Sequence, residues 1–330
     1  DNIPHPHIEA VFTSDEEIGL IGAGKLDKSI LSAKKMINLD SEEDDTVTVS
    51  CAGGCHFLAK TPAEYHEKNG TKITVTLKGL KGGHSGVEIN NNRVNADTLA
   101  GRFLNHIKHA IDFDIISING GDKDNAIPNK CVIELCVCDV DLFIKNAEEY
   151  LNVIKAEISD RESGFTFTFD MGENASYKVL SDEIKNKLIF ALTCVPNGVL
   201  EMSADIEGLV QTSLNLGVLK IENDILSLHF GLRSNKKSGL LFLVEKLQSF
   251  FDSVNWETDT NGHYPPWEYK EDSQLREIYK EVYSDYFGKE PKVEAIHAGL
   301  ECGVFAYAID GIDCISIGPA LYDVHTVNEK

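Results

Sequence analysis

No stretch of this sequence approaches the roughly 18 consecutive apolar residues of a membrane-spanning helix; its longest apolar runs are strand-sized. Positive charge is scarce as well, with 31 Lys plus Arg against 53 Asp plus Glu and a formal charge of −22. A surface that acidic repels phosphate backbones and anionic headgroups, so neither nucleic acid nor membrane is expected as a partner. Disulfide density is missing too. The eight Cys are scattered, many inside apolar runs such as "CVIELCVCDV" (131–140), which points to a reduced, cytoplasmic protein. The Cys51–Cys55 pair in "CAGGC" has too few ligand types nearby for a structural zinc site. Internal repeats, low-complexity tracts and a signal-like segment are absent.

What is present is a chain of 330 residues with 42% hydrophobic content, enough for two domains or one large one. Residues 8–13 ("IEAVFT") read as a buried strand, "GLIGAGKLDKSIL" as a Gly-loosened helix and "KKMINLD" as a second strand ending at Asp40. Strand, helix and strand at this spacing form a βαβ unit with parallel pairing. Both acidic positions, Glu16–Glu17 and Asp40, are then expected at the carboxyl ends of neighbouring strands, where open α/β sheets place ligands. From about residue 55 the pattern changes. "TKITVTLKGL" alternates as a half-exposed antiparallel strand does, helical spacing follows over "NADTLAGRFLNHIKHAI", and two strands flank an Asn-Asp turn in "KIENDIL". Strand–helix–strand order resumes in "KVEAIHAGLECGVFAYAIDGIDCISIGPAL". The expected fold is an α/β domain with a mainly parallel sheet (1–53 and 264–330), interrupted by an inserted α+β domain (54–263).

Four constellations can carry chemistry. Glu16, Glu17, Asp40 and His325 offer carboxylate and imidazole ligands for zinc or a similar divalent ion, though an acidic turn is also compatible with plain solvation. Neighbours in an extended turn point apart, so Glu16 and Glu17 can divide metal binding and proton transfer. In "GLKGGHSGVEINNNR", Gly82, Gly83 and Gly86 bracket His84; the plain alternative is a Gly-rich hairpin with an incidental His, and no Lys-Ser or Lys-Thr completes a phosphate loop. "IHAGLECGVF" presents His297, Glu301 and Cys302 before a helix, Cys302 fitting a packing role better than a nucleophile's. Arg233 in "FGLRSN" is a solvated strand end or a clamp for a carboxylate.

Taken in order, "TSDEEIG", "NLDSEE", "CAGG", "GLKGGHSG", "NAIPNK", "PNGVLEMS", "HAGLECG" and "SIGP…VH" resemble the aminoacyl-histidine (Xaa-His, carnosinase-type) dipeptidases among the dinuclear zinc exopeptidases. The resemblance implies a cytoplasmic hydrolase acting on small peptides, with two Zn2+ per complete subunit (or Mn2+ or Co2+) and dimerisation through the inserted lid domain. It implies attack by a metal-bridging water with Glu16 as general base, Glu17, Asp40 and His325 as metal ligands, and His84 polarising the scissile carbonyl. Arg233 is implied to hold the substrate carboxylate, with His297 and Glu301 lining the site, Glu301 toward the ammonium, and Asn125 either a contact or a turn residue. The family also has a His-x-Asp segment and a bridging Asp upstream of the Glu pair, and further chain beyond His325. Their absence leads to the expectation of a fragment that binds zinc poorly and has little activity by itself. The alternatives are a non-catalytic relative that dimerises through the lid, or a tripeptidase or deacylase with the same metal site.

Overall fold

The computed structural model describes residues 4–16, 19–322 and 330. Two sheets organise them. The smaller contains β1 (Lys35–Asn38), β2 (Thr46–Cys51), β14 (Lys292–Ile296) and β15 (Asp313–Ser316) in the order β1-β15-β2-β14. Its outer pairs, β1 with β15 and β2 with β14, are parallel, while β15 meets β2 antiparallel at Ser316 and Thr48. Every residue of β2 is buried, as a central strand covered on both faces requires. Helices α1 (Ile21–Lys25), α6 (Gln274–Phe287) and α7 (Glu301–Ala308) accompany this sheet, and Leu20 and Ala23 pack with Val304, Phe305 and Ile309 to seat α1 on α7.

The larger, nine-stranded sheet is antiparallel throughout. It comprises β3 (Gly53–Pro62), β4 (Tyr65–Lys78), β6 (Phe113–Gly120), β8 (Cys131–Val137), β9 (Thr166–Leu180), β10 (Gly198–Met202), β11 (Val210–Glu222), β12 (Ile225–Ser234) and β13 (Glu257–Tyr264). Alternating side chains from these strands meet apolar stripes of α2 (Ala96–Ile107), α3 (Val140–Ile158), α4 (Asp182–Cys194) and α5 (Lys237–Ser253) in one continuous core. The β11–β12 hairpin turns at Asn223 and Asp224 with φ of 52° and 57°, the paired left-handed residues of a tight primed turn. A separate two-residue ladder joins β5 (Gly83–His84) to β7 (Ala126–Ile127).

One sequence expectation fails. Residues 8–13 form no strand, and Ile8, Val11 and Phe12 are 66, 40 and 93% exposed. A strand exists through its ladder, and this apolar run finds no ladder partner among the described residues. The parallel neighbour of β1 is β15 rather than residues 8–13, so Asp40 lies just past a strand end while Glu16 does not.

The chain crosses between the sheets at 51–53 and again at 264–267. The crossings are laced together: Cys51 N donates to Trp267 O (3.0 Å) and Trp267 N to Cys51 O (3.1 Å). The closeness needs glycine, because a β-carbon at Gly53 would stand 2.4 Å from Pro266 N. The "CAGG" motif thus has a backbone-packing origin; its two flanking thiols, Cys51 and Cys55, are buried and unlinked.

Candidate active site

The acidic turn folds over the start of α1. Ser14, Asp15 and Glu16 carbonyls accept from Gly22, Ile21 and Leu20 amides at 2.9, 3.2 and 2.9 Å. Asp15 sits at φ 57°, a left-handed conformation that Asp tolerates better than most residues, which gives this third carboxylate a conformational reason for its place. Thr13 Oγ1 donates to Glu301 Oε1 (2.6 Å), tying the turn to the first residue of α7, where the helix dipole favours an anion. Cys302 is fully buried; burial drives its thiol far above the ordinary range, with Cys314, Cys51 and Asp40 adding to the effect. It is therefore a packing residue, and Asp40 lies within electrostatic reach of the α7 start. Glu17 and His325 lie outside the described residues. Among the described residues no three His, Cys, Asp or Glu side chains gather closely enough to hold a metal ion.

The second group of expected residues does converge. His84 enters on β5, Arg233 on β12 and His297 just beyond β14. They meet around Gly86, where a β-carbon would stand 2.8 Å from His297 O, 2.9 Å from His84 Cε1 and 3.2 Å from Arg233 Cζ. Only glycine leaves room for this approach, so Gly86 belongs to the site although it carries no chemistry. The loop from His297 to Glu301 joins this group to the acidic one.

Hydrogen bonds define the protonation of both histidines. His84 Nδ1 accepts from the amides of Gly86 (3.3 Å) and Val87 (3.2 Å), so the neutral ring carries its proton on Nε2. Burial, then the charge of Arg233, lowers its pKa below the usual histidine value. The ring of His297 is committed elsewhere. Asn235 Nδ2 donates to Ser50 Oγ (3.3 Å) and Ile296 O (3.2 Å), leaving Asn235 Oδ1 to accept from His297 Nδ1 (3.0 Å). His297 Nε2 then accepts from Ser213 Oγ (2.7 Å). Burial, reinforced by Arg233, pushes the His297 pKa down to about 3. This histidine is a neutral bridge between the sheets, and it faces the site through its carbonyl.

Arg233 Nη1 donates to Tyr264 Oη (2.7 Å), and among the described residues no carboxylate pairs with this guanidinium. Asn125 is exposed, and its carbonyl accepts from Ser85 N (2.9 Å), fixing the loop beside His84. The preceding Asp124 pairs with His56, and this bond raises the His56 pKa. Sequence reasoning missed Tyr264, Ser213 and Asn235. The one signal near them is the Tyr-Pro-Pro step in "NGHYPPW", which reads from sequence merely as a break.

Residues 75–164 match the profile of a peptidase dimerisation domain. The cytosol non-specific dipeptidase of Escherichia coli (strain K12) is 33% identical over 339 aligned residues, covering 100% of this chain and 69% of that enzyme. The crystal structure of aminoacylhistidine dipeptidase from Vibrio alginolyticus superposes with a TM-score of 0.90 at 32% identity, over 96% of this chain and 65% of that one. The chain thus spans about two thirds of the length of these relatives. Among the described residues no helix is long and apolar enough to cross a membrane. With the fold shared and the sequence likeness running from end to end, this chain belongs to the metallopeptidase family of these two dipeptidases.

Proposed function

We propose that the protein is a cytoplasmic, metal-dependent dipeptidase that hydrolyses Xaa-His and related dipeptides. Within the structure, one observation carries this reading. Arg233 is a partly buried cation bonded to a neutral hydroxyl, and the two histidines that meet it around Gly86, His84 and His297, are both held neutral. A partly buried guanidinium with no carboxylate partner among the described residues is a receptor for a small anion, and a dipeptide supplies one at its C-terminal carboxylate.

The other roles follow from the donor geometry. His84 presents Nε2–H as its free donor, which suits an oxygen on which negative charge develops. Glu16 takes a proton from water and returns it to the leaving amine. Glu301, fixed by Thr13, faces the substrate ammonium. Asn125 supports the His84 loop through its backbone, and His297 lines the site through its carbonyl. Glu17, Asp40 and His325 would hold the metal; carboxylates with imidazole suit Zn2+, and also Mn2+ or Co2+. When bound, the metal supplies Lewis-acid activation of water and of the scissile carbonyl.

Residues 1–53 and 264–330 form the catalytic unit in this reading. Residues 54–263 form the lid through which two copies pair, and the matched dimerisation segment falls inside that span. Hydrolysis of alanyl-histidine by the complete protein is the test. A chelator is expected to abolish it, added Zn2+ to restore it, and Glu16→Gln to lower kcat by about 10²–10⁴-fold. Turnover indifferent to both chelator and Glu16→Gln overturns the proposal.

A further inference from the structure

Tyr264 ends β13 at the return crossing between the sheets, and its surroundings are built from glycine. A β-carbon at Gly54 would stand 2.6 Å from Tyr264 Oη, and one at Gly299 would stand 2.9 Å from Tyr264 Cε2. The two residues that follow are held the same way. A β-carbon at Gly303 would stand 2.4 Å from Pro265 O, and one at Gly53 would stand 2.4 Å from Pro266 N. These four glycines come from "CAGG" on one side and "HAGLECG" on the other, so both motifs close on the segment Tyr264–Pro265–Pro266. Prolines fix two φ angles directly after the tyrosine, and its ring is held between these glycines and the apolar cluster of Leu20, Val304 and Phe305. The product of this packing is a phenol hydroxyl at a set position, 2.7 Å from Arg233 Nη1.

We infer that Tyr264 is a positioning residue that fixes the Arg233 guanidinium for recognition of the substrate's C-terminal carboxylate, and that the glycine socket serves to seat it. The inference rests on the reading of Arg233 given above. An arginine side chain has four rotatable bonds, and holding its planar fork in one orientation is what turns a diffuse cation into a carboxylate receptor. Tyr264 does this without neutralising the charge, which an acidic partner would do. The guanidinium keeps its remaining donors for the ligand.

Equilibrium binding by calorimetry to the full chain separates the alternatives. The probes are the reduced-amide isostere of alanyl-histidine, which is not hydrolysed, and the same isostere bearing a C-terminal carboxamide. The wild-type protein is expected to prefer the carboxylate, and Arg233→Ala to erase the preference. Tyr264→Phe keeps the ring and removes the hydroxyl; it is expected to weaken carboxylate binding about tenfold and to leave the carboxamide within about twofold. The Arg233 guanidinium 15N resonances are expected to broaden or shift in the same variant, reporting the lost bond directly. Tyr264→Phe binding both probes as wild type does, while Arg233→Ala loses the preference, overturns the role of Tyr264 alone. Equal weakening of both probes, with a lowered melting temperature, overturns it in favour of a purely structural tyrosine. A wild-type protein without preference, or an Arg233→Ala variant that keeps it, overturns the reading of Arg233 itself.

Discussion

Ser213 Oγ and His297 Nε2 lie 2.7 Å apart, the serine on β11 of the nine-stranded sheet and the histidine just beyond β14 of the four-stranded one. Asn235 completes the bridge on the other ring nitrogen, and all three side chains are buried. Removing the imidazole leaves a serine hydroxyl and an amide oxygen without partners in a dry space. His297→Ala is therefore expected to cost about 3 kcal/mol in urea unfolding, and His297→Gln less, because a glutamine amide can meet one of the two groups. The acid limb reports the same residue. With the folded pKa near 3 against 6.5 unfolded, the unfolded chain binds the extra proton between those values. Stability is full above pH 6.5 and falls as pH drops toward 3, by up to about 1.4 kcal/mol per pH unit for this proton. The slope is expected to flatten in His297→Gln, and equal slopes in the two proteins would refute the assignment.

Gly86 makes a sharper distinction between site and scaffold. A methyl group there meets His297 O, His84 Cε1 and Arg233 Cζ at 3.2 Å or less, and each must move to admit it. Those three residues are the ones expected to touch the substrate or frame it. Gly86→Ala should lower kcat/KM for dipeptides by roughly 10²-fold, the cost of displacing site groups by about an ångström. The unfolding free energy should change by less than about 1 kcal/mol, since the β5 loop lies outside both main sheets. A normal kcat/KM would show that the convergence at Gly86 has no bearing on the chemistry.

The elements of the nine-stranded sheet and its helices were legible because their signals are periodic and local. "TKITVTLKGL" alternates into β4, the spacing of Leu99, Phe103 and Leu104 yields α2, and the Asn223–Asp224 pair marks its own turn. Residues 8–13 were misleading for the opposite reason. An apolar run states that a segment wants burial, but whether a ladder partner exists is a property of the fold. His84 and Arg233 could be singled out from their glycine-flanked motifs. Their meeting could not, because positions 86, 233, 264 and 297 are brought together by two sheet crossings and no local pattern records that. The glycines of "CAGG" and "HAGLECG" were visible as motifs while their cause was hidden: the missing side chains make room for Tyr264 and the two prolines after it. The placement of Glu17 and His325 falls outside the described residues.

Lys185 tests how the core of the nine-stranded sheet tolerates a buried charge. Its Nζ donates to Phe113 O (3.0 Å) and Asp114 Oδ1 (2.8 Å), and Asp114 is 2% exposed. Asp182 Oδ1 lies 2.8 Å away as well, but that carboxylate is largely exposed and adds little. Lys185→Met is expected to cost about 3–5 kcal/mol, because among the described residues it leaves the buried Asp114 with Lys68 alone as counter-charge, whose Nζ is 3.3 Å from Oδ2. Combining it with Asp114→Leu should recover much of that loss. A double variant as unstable as the sum of the two singles would mean that the pair is not coupled.

Asp97 carries the opposite pH dependence to His297. It lies in the first turn of α2, is 0% exposed, and among the described residues the Cys131 thiol is the one polar group set against its otherwise unpartnered carboxyl oxygens. The packing is tight enough that a β-carbon at Gly120 would stand 1.7 Å from its Oδ1. Burial pushes the Asp97 pKa up to about 8 from an ordinary 3.8, so the folded protein keeps this carboxyl protonated at neutral pH. The folded state then binds the extra proton between those values. Its contribution is full below pH 3.8 and is lost as pH rises through 8, by up to about 1.4 kcal/mol per pH unit. Asp97→Asn keeps the shape and has no proton to lose, so its stability should be flatter over this window. The variant should gain on the wild-type protein steadily from pH 5 to about pH 8 and little beyond it. Urea midpoints at pH 5, 7 and 9 decide the matter: curves that stay parallel would mean that Asp97 ionises freely in the folded protein, which its sealed position beneath Gly120 forbids.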